Sequence, residues 1–155
     1  MTTTPLRPSD LYHTGLVFED VEAATQRLGA AGGYTFTPTI ESEIKVRLAS
    51  GTTTLGFAFA YSLEAPHIEI VRAVPGTLWT PAARNAPHHL GYWVDDVAAT
   101  CRQMTEAGYE LEACAEDDSG EPTSFAYFIS PDGIRLEVVD RAALGNWSEF
   151  LAQFR

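Results

Sequence analysis

The feature that most constrains the fold of this chain is an internal repeat. The segment HTGLVFEDVEAATQRLGAAGG, which begins at His13, aligns without a gap with HLGYWVDDVAATCRQMTEAGY, which begins at His89. At this offset of 76 residues, Asp20 falls on Asp96. Two copies of one segment are expected to form two copies of one supersecondary unit, so the repeat decides the class of fold.

A second match follows at an offset of 68 residues. It aligns FAFAYSLEAPHIEIV, which begins at Phe57, with FAYFISPDGIRLEVV, which begins at Phe125, and it places Glu69 on Glu137. The two offsets differ by eight residues, so the first copy is longer by that number between Gly32 and Phe57.

The two copies predict the same order of elements. A short strand comes first, and Asp20 or Asp96 then provides the N-cap of an amphipathic helix. In the first copy, the later strands are predicted to centre on Tyr34–Thr37, Thr53–Tyr61 and His67–Val71, with a further strand or hairpin arm at Ser42–Leu48. We therefore expect the order β-α-β-β-β in two repeats, at about residues 11–73 and 87–141.

These repeats predict a shared interior. A sheet with one helix on one face leaves its other face uncovered, so two such sheets are expected to close on each other. The predicted fold class is α+β, with two βαβββ modules that form a mixed-sheet, barrel-like cleft and with the helices outside. The linker at 75–87 is too short to separate two free domains, so residues 1–155 are expected to form a single domain that ends in a C-terminal helix.

The repeat carries matched histidines and glutamates. His13 and His89 hold the same position in the first strand of each copy, and Glu69 and Glu137 hold the same position in the last strand. Each residue taken singly would usually be structural, but their joint recurrence and the alternation of side chains along strands favour a shared site. A carboxylate in an apolar strand is costly unless it is paired or coordinated. The four residues therefore predict a metal-binding cleft for a divalent Zn, Ni, Co, Mn or Fe ion.

This ligand set predicts proton-transfer chemistry. Four protein ligands on a six-coordinate ion leave two positions, where two vicinal oxygens of a small substrate can chelate. The ion then acts as a Lewis acid and stabilises the enolate that forms when a neighbouring C–H proton is removed. Glu137 or Glu69 can detach from the ion and act as the catalytic proton shuttle.

The motifs of the repeat resemble those of the vicinal oxygen chelate superfamily. They are HTGLVFEDVEAA, HIEIVRAVPGT, HHLGYWVDD and SPDGIRLEVVD, and they cover nearly the whole chain. The superfamily includes glyoxalase I, methylmalonyl-CoA epimerase, fosfomycin-modifying enzymes and extradiol dioxygenases. The resemblance implies paired βαβββ modules around a divalent metal, with His13, Glu69, His89 and Glu137 at the ligand positions.

The predicted ligand set favours some branches of the superfamily over others. Extradiol dioxygenases typically use two histidines and one glutamate, so the four ligands here look more like those of glyoxalase I and the epimerases. The epimerases usually have Gln where this chain has Glu69, and the stretch TQRLGAAGGYTF lacks the pattern usual after the first helix of glyoxalase I.

The expected function is that of a metal-dependent lyase, isomerase or epimerase that removes a proton next to a metal-chelated carbonyl. Two alternatives belong to other classes. One is a metal-free ligand-binding protein of the bleomycin-resistance type, although those proteins lack the ligand set. The other is an Fe(II) dioxygenase, which tightly bound iron and oxygen uptake would distinguish.

Other polar and aromatic residues near the motifs each admit more than one interpretation. His88 precedes His89 and is predicted to face the other way, as a structural or surface residue; it is the alternative ligand, but the register with His13 favours His89. His67 and Arg135 each lie two residues before a predicted ligand, so both can face the pocket, although the solvated start of a strand is the simpler interpretation. Trp93 fits a pocket wall and a core position equally well. Glu41 and Glu43 can supply a second base, although solvated acids are the simpler interpretation.

The charge of the chain limits its partners. The formal net charge is −11, from 21 acidic and 10 basic residues, and the basic residues form no cluster. We therefore expect no nucleic-acid and no membrane partner, because phosphate binding needs concentrated Lys and Arg. The sequence shows neither a signal-peptide pattern nor an apolar run long enough to span a membrane. These observations predict a cytoplasmic protein with a small-molecule substrate, and we further expect a homodimer.

Overall fold

The order β-α-β-β-β occurs twice along the chain. The structure is a computed structural model that describes residues 4–155. Its helices and strands are β1 (Leu11–Phe18), α1 (Val21–Gly32), β2 (Ile40–Leu48), β3 (Gly51–Tyr61), β4 (Ile68–Arg72), β5 (His89–Val94), α2 (Val97–Glu106), β6 (Glu110–Glu116), β7 (Pro122–Ile129), β8 (Arg135–Asp140) and α3 (Trp147–Ala152). Short 3-10 turns lie at Pro8–Asp10 and Ala83–Asn85.

The eight strands form one closed barrel in the order β1-β4-β3-β2-β6-β7-β8-β5. Within each module the first and last strands are parallel neighbours, β1 with β4 and β5 with β8. The modules meet at two antiparallel seams, β1 with β5 and β2 with β6. The modules therefore pair within one chain, and the predicted α+β fold with a mixed, barrel-like sheet and outer helices is confirmed.

The two long helices begin at the predicted caps and cover the outside of the barrel. The carboxylate of Asp20 accepts a hydrogen bond from the backbone N–H of Ala23, and Asp96 accepts one from Ala99. Both bonds satisfy backbone donors that the first turn of a helix leaves unpaired. The buried side chains of α1 pack on β3 and β4, and those of α2 pack on β6, β7 and β8. Because the helices occupy the outer face, the inner face remains for a cavity.

The predicted strand at Tyr34–Thr37 is wrong. This segment makes a single bridge, between Phe36 and Ser62, and the strand after α1 is β2. Two local features account for this. Gly33 ends α1 in the left-handed conformation with φ 75°, and Pro38 cannot donate a hydrogen bond to a ladder.

The structure also corrects the alignment of β3 with β7. Tyr61 in β3 lies opposite Glu69, and Tyr127 in β7 lies opposite Glu137. Tyr61 and Tyr127 are therefore structural counterparts, whereas the sequence alignment places Tyr127 on Phe59. The difference is two residues along a strand, which leaves each side chain on the same face of the sheet.

Candidate metal centre

Four strands bring the predicted site residues together. His13 comes from β1, Glu69 from β4, His89 from β5 and Glu137 from β8. All four side chains are buried, with between 2% and 5% of each residue exposed. One nitrogen or carboxylate oxygen from each lies within 4.8 Å of the corresponding atoms of the others.

The distances between these atoms fit a shared cation. The two histidine Nε2 atoms lie 3.0 Å apart. Nε2 of His13 lies 3.2 Å from Oε2 of Glu69 and 3.1 Å from Oε2 of Glu137, and the matching distances from His89 are 3.1 Å and 3.3 Å. Two ligand atoms that each lie about 2 Å from one ion, roughly at right angles, are about 3 Å apart.

Two glycines make room for the histidine rings across the β1–β5 seam. His13 lies opposite Gly91, and Gly15 lies opposite His89. A Cβ atom on Gly15 would lie 1.9 Å from Cε1 of His89, and one on Gly91 would lie 2.0 Å from Cε1 of His13. Each ring therefore occupies the space that a side chain on the opposite strand would fill. Both glycines appear in the repeat as HTG and HLG, but the sequence alone did not assign them this role.

His88 fixes the orientation of the His89 ring through a hydrogen bond to its Nδ1. Nε2 of His88 lies 2.7 Å from the carbonyl oxygen of Leu78, which can only accept, so this nitrogen donates. Burial lowers the pKa of His88 to about 4, so its Nδ1 carries a lone pair near neutral pH. That atom lies 2.9 Å from Nδ1 of His89 and accepts its N–H. Nε2 of His89 is then left with the lone pair that a metal ligand needs.

His88 is thus neither a member of the four-residue cluster nor a surface residue. The sequence analysis predicted that it faces away from His89, because neighbours within a strand alternate. However, β5 begins only at His89, and the segment before it is not part of the strand. His88 is 5% exposed, and its side chain contacts the ring of His89.

Two ligand-side atoms lack hydrogen bonds among the described residues. They are Nδ1 of His13 and Oε2 of Glu137. The Glu137 oxygen has both histidine Nε2 atoms within 3.3 Å, yet it makes no hydrogen bond with either. Buried polar atoms without a partner are rare in folded proteins. A buried carboxylate oxygen that lies beside two histidine nitrogens without a hydrogen bond fits a site built for a cation.

The charges in the cluster depend on one another. Burial lowers the pKa of His13, but the carboxylates of Glu69 and Glu137 outweigh burial and raise it to about 9. The same carboxylates raise the pKa of His89. Burial in turn raises the carboxylate pKa values, and the histidines outweigh it and lower them. A divalent cation would replace the histidine protons as the positive charge, so its binding would release protons.

A cavity of about 350 Å³ opens beside the cluster. Glu69 and Glu137 form part of its wall, and Tyr61 and Tyr127 lie beside them. The other lining residues are Ile40, Glu41, Ser42, Ile44, Phe57, Phe59, Val71, Trp79, Ser124, Phe125, Val139, Ala143 and Leu144. The cavity size is typical of a site for a small molecule.

The other residues that the sequence analysis singled out lie outside the four-residue cluster. His67 contacts the backbone oxygen of Ser62, and Arg135 makes two hydrogen bonds to Glu112, so neither lines the cavity. Trp93 stacks on Tyr12 with ring centroids 3.5 Å apart and belongs to the core. Glu41 lines the cavity, whereas Glu43 does not. These positions agree with the simpler interpretations, except that Glu41 reaches the mouth of the cavity.

The paired βαβββ modules, closed into one barrel around a cavity, define the vicinal oxygen chelate fold. The sequence profile of the family described as the glyoxalase/bleomycin resistance protein/dioxygenase superfamily matches residues 12–128. The chain therefore belongs to this superfamily, and the resemblance stated from the sequence motifs is confirmed.

Solved structures agree at the level of the fold. Methylmalonyl-CoA epimerase from Mycobacterium tuberculosis is 16% identical with a TM-score of 0.53, over 85% of this chain and 87% of that one. A variant of the Streptomyces coelicolor epimerase, in complex with 2-nitronate-propionyl-CoA, is 15% identical with a TM-score of 0.52, over 86% and 95%. A hypothetical protein from Bacillus halodurans is 15% identical with a TM-score of 0.53, over 84% and 92%.

Within residues 4–155, none of the helices has the length and apolar character that crossing a membrane requires.

Proposed function

We propose that this protein is a metal-dependent lyase, isomerase or epimerase of the vicinal oxygen chelate type. His13, Glu69, His89 and Glu137 would hold a divalent Zn, Ni, Co, Mn or Fe ion. The reaction would remove a proton next to the carbonyl of a small oxygenated substrate. One observation carries this proposal: four buried donor atoms from four strands converge on one point beside a cavity.

The chemistry follows from what each part supplies. A divalent ion in this cluster would stabilise the negative charge that develops on a substrate oxygen. Glu137 is the stronger candidate for the base, because the residue lines the cavity and its buried Oε2 has no hydrogen-bond partner among the described residues. Glu137 would take the C–H proton while the electron pair moves to the carbonyl oxygen, and would return the proton to a neighbouring carbon.

The pseudo-symmetry of the site supports reactions that move a proton within one substrate. The carboxylates of Glu69 and Glu137 stand at equivalent positions in the two modules, and both line the cavity. A substrate chelated beside them would have two carboxylates within reach, so one could take the proton and either could return it. Such a transfer needs no external oxidant or reductant.

The first test is the metal content of the purified protein, measured by elemental analysis. We expect about one divalent transition metal ion per chain. Glu69→Gln and Glu137→Gln should each lower metal affinity, because each removes one anionic ligand at nearly constant volume. Glu43→Gln is the matched control, since it changes an exposed carboxylate outside the cavity and should bind metal normally.

The identity of the metal separates the alternatives. A protein that takes up no metal even after reconstitution would contradict the proposal and favour a metal-free binding protein. Tightly bound iron with oxygen uptake would favour a dioxygenase. For the proton-transfer function, the metal-loaded protein in D₂O should exchange the C–H proton of an α-hydroxyketone for deuterium, as seen by NMR. Glu137→Gln should abolish that exchange.

A further inference from the structure

The walls of the cavity are almost entirely uncharged. The charged residues that line it are Glu69 and Glu137 of the metal cluster, and Glu41 at the mouth. Among the described residues, no Lys, Arg or His is part of this lining.

Aromatic rings form much of the cavity wall. Phe57 and Trp79 pack edge to face with ring centroids 4.7 Å apart, and Trp79 and Tyr127 do so at 5.3 Å. Phe57 and Phe125 are 6.0 Å apart at an interplanar angle of 80°. Edge-to-face rings of this kind make a stiff apolar surface that suits another ring or a branched hydrocarbon.

The mouth of the cavity also disfavours anions. The side chain of Glu41 is 72% exposed there, and it lies 3.6 Å from Arg72. Arg72 belongs to a shallow neighbouring depression, where Glu43 is a second carboxylate. The basic charge of Arg72 beside the mouth is thus offset by acidic neighbours, in a chain whose net charge is −11.

We propose that the cavity takes an uncharged substrate in which two vicinal oxygens are attached to an aromatic or similarly bulky apolar group. The oxygens would reach the metal cluster, and the apolar group would lie among Phe57, Trp79 and Phe125. This inference rests on the proposed function, because chelation by the two oxygens requires the metal. It excludes coenzyme A esters and other polyanionic substrates.

The exclusion distinguishes this protein from some of its structural neighbours. The Streptomyces coelicolor epimerase was solved with 2-nitronate-propionyl-CoA. Coenzyme A carries several phosphate charges, and proteins bind such groups with Arg, Lys or exposed backbone donors. The cavity described here offers no cationic side chain for them.

The test compares two probes that differ in one charge. The first is 2-hydroxyacetophenone, an uncharged α-hydroxyketone with a phenyl ring, and the second is the same compound with a carboxylate at the para position of the ring. Binding to the metal-loaded protein is followed by quenching of tryptophan fluorescence, because Trp79 lines the cavity. The metal content of each sample is measured in parallel. We expect the uncharged probe to bind at least tenfold more tightly, and coenzyme A at equal concentration not to displace it.

Two variants and one control variant test the contacts between the probes and the cavity wall. Phe125→Ala should weaken the uncharged probe about tenfold, since it removes a ring from the cavity wall. Phe36→Ala is the matched control, because Phe36 packs under α1 and does not line the cavity. Glu41→Gln should strengthen binding of the carboxylated probe about threefold and leave the uncharged probe unchanged, and this exposed substitution should not perturb folding.

The outcomes separate the two proposals. A metal-loaded protein that binds the carboxylated probe or coenzyme A as tightly as the uncharged probe would overturn the substrate class and leave the proposed function intact. Failure to bind either probe at millimolar concentration would also overturn it. A protein without metal would refute the proposed function. In that case the same preference for the uncharged probe would still support an apolar ligand, and the reverse preference would overturn it.

Discussion

The two halves of the His/Glu cluster have the same residue types, but different contacts position their histidines. In the second half, Nδ1 of His89 is held by His88, and His88 is held by the backbone of Leu78. In the first half, the residue before His13 is Tyr12, and Nδ1 of His13 has no hydrogen-bond partner among residues 4–155. The ring of Tyr12 instead contacts His13 edge to face, with centroids 4.3 Å apart.

This difference separates two ways to position a ligand. His89 has its tautomer and ring orientation set by a chain of hydrogen bonds. His13 has its ring position set by packing, between Tyr12 and the space over Gly91. We therefore expect loss of a supporting hydrogen bond to affect His89 but not His13, whereas changes in volume across the seam should affect both rings.

The largest effects are expected where both halves depend on volume. Gly15→Ala should displace the ring of His89, and Gly91→Ala should displace the ring of His13, because each new Cβ would lie within about 2 Å of ring atoms. Each variant should lose metal affinity at least hundredfold and lose about 1–3 kcal/mol of stability. Chelator competition and chemical denaturation measure the two quantities.

An exposed glycine provides the control for those variants. Gly56 has open space where a Cβ would lie, so Gly56→Ala should leave metal affinity unchanged. Normal metal binding in Gly15→Ala would show that the ring of His89 does not need the space above the opposite strand.

The next largest effect should appear only in the second half. His88→Leu removes the acceptor for Nδ1 of His89, and metal affinity should fall about 10- to 100-fold. His88→Gln offers an acceptor oxygen and a donor nitrogen on one side chain, and should recover part of that loss. The visible spectrum of the cobalt-substituted protein reports ligand geometry, and should change in His88→Leu. Equal metal affinity and equal spectra in both variants would contradict the role assigned to His88.

The stability of the metal-free protein should fall at high pH because of His13 in the first half and at low pH because of His88 in the second half. The pKa of His13 is raised from 6.5 to about 9, so its contribution to stability is present below pH 6.5 and is lost as pH rises through 9. The pKa of His88 is lowered from 6.5 to about 4, so stability is lost as pH falls from 6.5 towards 4. Thermal unfolding should show a maximum near pH 6.5.

Single variants assign each side of that profile. His88→Gln should flatten the acid side, and His13→Gln should flatten the alkaline side, as measured by melting temperature against pH. An unchanged alkaline limb in His13→Gln would mean that another group titrates there.

The smallest effect is expected from Tyr12→Phe in the first half. The hydroxyl of Tyr12 is buried and has no hydrogen-bond partner within the described part of the chain. Its removal should leave metal affinity within about twofold and should raise stability by up to about 1 kcal/mol, because an unpaired buried hydroxyl is destabilising. A large loss of metal affinity would instead show that this hydroxyl, rather than the ring, supports His13.

The sequence predicted the fold and the composition of the cluster because the repeat fixes both. His13 and His89 align without a gap, and strand alternation then turns both side chains inward. The same logic places Glu69 and Glu137 in the last strands. The N-caps Asp20 and Asp96 could also be predicted from the sequence, since capping depends only on neighbouring residues.

Features that depend on contacts between distant segments were not predictable in this way. FAFAY alternates with a period of two residues, so a shift of two leaves the pattern almost unchanged and the sequence placed Tyr127 on Phe59 rather than Tyr61. The role of His88 depends on the backbone oxygen of Leu78, ten residues earlier, and on where β5 begins. No local sequence pattern indicates the contact with Leu78 or the residue at which β5 begins.

The β1–β5 seam has a consequence for how the protein matures. Each half supplies one histidine and one glutamate, so neither half offers a complete set of ligands before the seam has closed. Tight metal uptake would therefore mark the moment during folding at which the halves meet. Once bound, the ion would link the two strands across the seam, and the free energy of metal binding would add to the free energy of unfolding the barrel.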